Sequence, residues 1–168
     1  MIAYVQTRRL RSAAESQYRQ FVTDSLDHRT LAATTYNRCW AILDAQDTSE
    51  AARREILMCA FTSKWHWLHA GGPEQWVISD WMIGRAAGHA GELDMALQYA
   101  QLAFDGATDA LPDWLRASAA EGLARVYALR GDVVDRDQWL VRAADLVARI
   151  ADPEDRHIIA EQLATVPR

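Results

Sequence analysis

Apolar residues recur along the chain at the three- and four-residue spacing of helices buried on one side. Leu10, Ala13, Ala14, Tyr18 and Phe21 predict a first helix from about residue 7 to the low 20s. Leu31, Tyr36, Cys39, Trp40 and Leu43 predict a second over roughly 30–45. Asp47 and Glu50 stand at capping-box spacing, and a third helix then runs through Ile56, Leu57, Ala60, Phe61, Trp65 and Leu68 to Gly71-Gly72. Pro73 suits the first turn of a fourth helix, where the amide hydrogen it lacks would have no helical partner. That helix covers about 73–89, and Gly91 separates it from a fifth over about 92–105. A sixth opens near Pro112 and ends around Arg130; Gly131 separates it from a seventh over about 133–150. Asp152 predicts an N-cap ahead of Pro153 for a last helix running toward Leu163. The pattern predicts an all-α protein: one domain over 1–168, with seven or eight helices packed as antiparallel neighbours.

Two stretches of this pattern repeat. Gly131 follows Gly91 by 40 residues, and the same offset places Arg125 on Arg85, Ala124 on Gly84, Tyr127 on Ala87 and Ala143 on Ala103. Within 73–105, Gly84, Gly91, Ala96, Ala100 and Ala103 fall on the small positions of a tetratricopeptide-like hairpin. A second repeat-like hairpin is predicted over 112–150. Two copies, at a period longer than the usual 34 or so, predict a helical domain built from hairpins rather than a long array.

Composition narrows the classes. The chain has 168 residues, 50% of them hydrophobic and 24% charged, which suffices for a continuous core and excludes a disordered chain. The basic residues are seventeen Arg and a single Lys, Lys64. Residues 1–40 hold six Arg against three acids, with Arg8, Arg9 and Arg11 clustered. A nucleic-acid footprint needs a wider basic patch, and the net charge is -5, so no nucleic-acid partner is expected. Cys39 and Cys59 form no CxxC pair and read as small buried hydrophobes in a reducing compartment. No apolar run reaches membrane-spanning length and the N-terminus lacks a signal-peptide core, so a cytoplasmic protein without a membrane partner is expected.

Few residues carry candidate chemistry. His66 and His69 share a helix face, as do His157 and Glu161. No paired HExxH or Glu-x-x-His motif accompanies them, and no metal, cofactor or catalytic residue is assigned. His66, between Trp65 and Trp67, reads first as a buried histidine bonded to a neighbouring helix, with metal ligand or general base as the alternatives. Ser63, one turn earlier, reads as a packing or capping hydroxyl before a nucleophile. Glu121 and Arg125 stand at i,i+4 with the acid first, and Arg85 is the repeat-equivalent of Arg125. The three predict a buried Arg–Glu–Arg bridge, or else an anion pocket. Arg156 is expected to tie the last helix to the body. Trp65, Trp76 and Trp81 fit core or inter-helix seams; Trp67 and Trp76 are the interface candidates.

The segment Ser63-Lys64-Trp65-His66-Trp67 carries a Ser-x-x-His-Trp signature. With Trp81, Gly84-Arg85, Ala96-Leu97, Pro112-Asp113-Trp114, Glu121, Ala124-Arg125, Glu154-Asp155-Arg156 and the run from Leu163 to Pro167, it resembles a family of uncharacterised bacterial, mainly actinobacterial, helical proteins. The resemblance covers about 57–167 and implies a tetratricopeptide-like helical fold, but no activity, substrate or cofactor. The chain departs from that pattern at Gly84, where a serine is usual, and at Gln162, where an aspartate is usual. Gln98 and Tyr99 also stand where a histidine is common. The leading functional expectation is a non-enzymatic interaction or scaffold protein that binds a protein partner or a second copy of itself. The alternative is a small-molecule-binding or metal-dependent enzyme with a pocket around His66, Arg85, Glu121 and Arg125.

Overall fold

The computed structural model describes residues 26–168; the helix expected near residues 7–22 and the Arg8, Arg9, Arg11 cluster lie outside them. Among the described residues, seven helices follow one another: α1 His28–Asp44, α2 Glu50–Ala70, α3 Pro73–Ala90, α4 Leu93–Gly106, α5 Asp113–Arg130, α6 Val133–Val147 and α7 Pro153–Ala164. Each packs on the next, and the short connections leave neighbours antiparallel. α3 also packs on α1 and α5, while α7 closes over α5 and α6. α3 and α5 are the two central helices and supply the largest buried sets, including Trp81, Met82 and Ile83 on one and Leu115, Leu123 and Val126 on the other.

Local chemistry fixes the helix ends. Asp27 accepts the Thr30 amide hydrogen at the start of α1, and Asp152 accepts those of Glu154 and Asp155 at the start of α7. The cap of α2 differs from the expected capping box. Ser49 is the N-cap and accepts from Ala52, while the Asp47 carboxylate accepts the Ser49 amide at 2.9 Å. Asp47 thus closes a turn that delays the helix by two residues, and Glu50 pairs with Arg54 instead.

The 40-residue echo has a structural counterpart. α3 ends at Gly91 (φ 87°) and α5 at Gly131 (φ 76°), both left-handed. In each, the residue after the glycine donates back to the helix: Glu92 to the Ala87 carbonyl at 2.9 Å, Asp132 to that of Tyr127 at 3.0 Å. These are matching Schellman-type ends, and a side chain at either glycine would be strained. Gly84 serves packing instead: a Cβ there would stand 3.1 Å from the Ala100 amide nitrogen, so its absence lets α3 and α4 touch backbone to backbone.

α2 corrects one core assignment. Its buried stripe is Ala52, Ile56, Ala60, Ser63 and His66. Trp65, expected in a seam, is 46% exposed, and Met58, Phe61 and Leu68 are exposed beside it. α2 carries two apolar stripes at helical spacing, and periodicity alone does not say which one meets α1 and α3. The stripe of smaller residues does, because it permits the closer approach.

The left-handed ends give a direct check. Gly91→Ala and Gly131→Ala should each lower the unfolding free energy by about 1–2 kcal/mol in urea titrations. Unchanged stability in both would contradict the role assigned to these turns.

Candidate functional site

The Glu121 side chain is fully enclosed, and two arginines reach it. Arg85, from α3, donates through Nη1 to Glu121 Oε1 at 3.2 Å; Arg125, one turn further along α5, donates through Nε to the same oxygen at 2.7 Å. Arg125 then spans to α7. Its Nη1 donates to the Thr165 carbonyl at 3.1 Å, and its Nη2 to the Gln162 carbonyl at 3.1 Å and to Thr165 Oγ1 at 2.7 Å. A cation against the open carbonyls at a helix C-terminus is the favourable sign for the macrodipole. Arg125, and not the exposed Arg156, therefore tethers α7 to the body. The Arg85 guanidinium lies 5.6 Å from the ring centroids of both Trp40 and Trp81. Burial lowers the Arg85 pKa from its ordinary value, while the Glu121 charge raises it.

Four buried polar atoms around this network have no hydrogen-bond partner among the described residues: Glu121 Oε2, Arg85 Nε, Trp81 Nε1 and Gln162 Oε1. For Trp81 the cause is geometric. A Cβ on Gly122 would stand 3.3 Å from Trp81 Nε1, so the indole nitrogen lies against a bare stretch of α5.

Trp81 and Gln162 also line a cleft of about 230 Å³ among α1, α3, α5 and α7. Its aromatic walls are Tyr36, Trp81 and Trp114, and its aliphatic walls include Val77, Leu115 and Ile159. Ser118, Asp155 and Gln162 supply the polar groups. Burial also raises the Tyr36 phenol pKa above its ordinary value. Ser118 lies one turn before Glu121 on α5, so cleft and ion network share a helix face. The face of α7 made by Asp155, Ile158, Ile159 and Gln162 is legible in its three- and four-residue spacing. Which helices it meets depends on the tether through Arg125, and the sequence spacing carries no signal for that.

The remaining candidates lie elsewhere. His66, on α2, is buried and contacts His28 of α1, Nδ1 to Nδ1 at 2.9 Å. The rings of His69 and Trp65 complete an aromatic cluster with them. His66 has none of the three network residues among its hydrogen-bond partners, and it does not line the cleft. Burial lowers the His66 pKa below its ordinary value, and the neighbouring His28 and His69 add to this. Ser63 donates its hydroxyl to the Ala32 carbonyl at 2.9 Å, which locks it into α1–α2 packing. Trp76 is 39% exposed and donates its indole N–H to the Trp67 carbonyl at 3.2 Å. Trp67 is half-buried under the Arg29 guanidinium. His157 and Glu161 form an exposed pair at 3.3 Å. Cys39 is buried, and its thiol pKa is pushed up to about 12, chiefly by burial. Among the described residues no group of three or more His, Cys, Asp or Glu side chains is placed to hold a metal ion.

No protein-family model, curated protein or solved structure matches the chain.

Two predictions follow from these geometries. Glu121→Leu leaves the buried Arg85 without its carboxylate and should cost about 3–5 kcal/mol of stability in chemical denaturation. A loss below about 1 kcal/mol would contradict the network's role. His66 binds protons less readily folded than unfolded, so unfolding takes up a proton as pH falls below 6.5. Stability should decline from pH 6.5 toward pH 5, and His66→Phe should flatten that slope. A profile identical in the two proteins would contradict the assignment.

Proposed function

We propose that the protein acts by binding rather than catalysis, as a helical interaction protein whose working surface is the cleft among α1, α3, α5 and α7. The observation that supports this is the cleft's construction: aromatic and aliphatic walls from four helices around about 230 Å³, with a few polar groups among them. That volume lies below the roughly 300–1,000 Å³ of sites for drug-sized ligands, and it suits one ring-sized apolar group. The side chains that sequence patterns offered for catalysis are engaged in holding helices together. Glu121 is held by two arginines, Ser63 bonds a carbonyl, and His66 faces His28.

The tetratricopeptide-like character of the two hairpins belongs to this reading and is supported by the matching helix ends at Gly91 and Gly131. Docking of a protein partner or a second copy is a second reading, supported by the exposed apolar stripe of Met58, Phe61, Trp65 and Leu68. No helix among the described residues is long and apolar enough to cross a membrane. A cytoplasmic setting is supported by the two free cysteines, and the absence of a nucleic-acid partner by the net charge of -5.

Indole titrated into isotope-labelled protein tests the cleft. The indole N–H signals of Trp81 and Trp114 should move while those of Trp65 and Trp76 stay. Ser118→Leu, which fills the cleft, should abolish the response. Movement confined to Trp65 and Trp76, or none at all, would overturn the reading.

A further inference from the structure

The cleft's polar complement is one-sided. Among the described residues that line it the only formal charge is the Asp155 carboxylate, and Asp155 forms no ion pair among the described residues. Three aromatic rings, those of Tyr36, Trp81 and Trp114, line the cleft, and the quadrupole of an aromatic ring attracts cations. Among the described residues no Lys, Arg or His side chain lines the cleft to compete for these groups. The arginines nearest it are engaged: Arg85 on Glu121, and Arg125 on Glu121 and the carbonyls of α7.

We infer that the cleft is a site for a small organic cation, an ammonium joined by a short stem to an apolar ring. This rests on the cleft being the working surface and names the chemistry of what enters it. The ring lies among Val77, Leu115 and Ile159, where apolar area leaves water. The ammonium lies beside Asp155, which supplies the opposite charge. The carboxylate also suits its position in the first turn of α7, where a negative charge meets the positive end of the helix dipole. A negatively charged head would meet the Asp155 carboxylate, so anions of the same shape are disfavoured.

Three probes with one ring and different heads test this: phenethylamine, phenethyl alcohol and phenylacetate, each titrated at neutral pH while the Trp81 and Trp114 indole signals are followed. Phenethylamine should bind about tenfold more tightly than the alcohol, and phenylacetate most weakly. Asp155→Asn keeps the side chain's shape and should erase the preference for the amine, leaving affinity for the alcohol within about twofold. Trp114→Leu removes one aromatic wall and should weaken the amine more than the alcohol. Equal binding of all three probes, or an amine preference that survives Asp155→Asn, would overturn the cation inference while the cleft reading stands. Failure of every probe to move the Trp81 and Trp114 signals would overturn both.

Discussion

A carboxylate with no contact with water must be neutralised where it lies, and Glu121 imposes that condition on the centre of this fold. Removing such an ion from water costs several kcal/mol unless its partners are close and well aligned. Arg125 meets the need from the next turn of the same helix, and Arg85 from α3. The pairing therefore fixes how the two central helices sit against each other. It also extends outward, because the other face of the Arg125 fork holds the carbonyl end of α7. One oxygen, Glu121 Oε1, thereby links α3 and α5 and, through Arg125, α7.

The cleft is a consequence of that linkage. Its far wall is α7, and α7 lies there because Arg125 holds its last turn against α5. Trp81 stands between the two features: its ring lines the cleft, and the Arg85 guanidinium lies 5.6 Å from that ring. The close approach of α3 and α4 at Gly84 leaves no room there for a larger residue. The tethered wall keeps an apolar opening from collapsing.

Much of the fold was legible because punctuation residues stand at the helix ends. Pro73, Pro153 and Asp152 mark starts, and Gly91 and Gly131 mark stops, each for a reason local to the backbone. The cap of α2 was less legible, since Asp47 and Ser49 are both good caps and only the turn decides between them. The site divides the same way. The Glu121–Arg125 pair follows from helical spacing and the place of Arg85 from the 40-residue offset. The cleft was not legible. Tyr36, Trp114 and Ile159 come from three helices, and the angles at which those helices cross are set by packing. The exposure of Trp65 belongs with it, because two apolar stripes on α2 compete for one interior.

The most direct test of the account is a double-mutant cycle on Arg85 and Glu121. Arg85→Met, Glu121→Leu and the double variant are compared with the parent by urea unfolding. Arg125 keeps its α7 carbonyls in all four proteins, so the cycle isolates the bridge between the central helices. The double variant should be more stable than the sum of the single losses implies, by at least about 1–2 kcal/mol, because removing Glu121 then no longer strands the buried Arg85. Strict additivity would contradict the claim that Glu121 holds the core together through its partners.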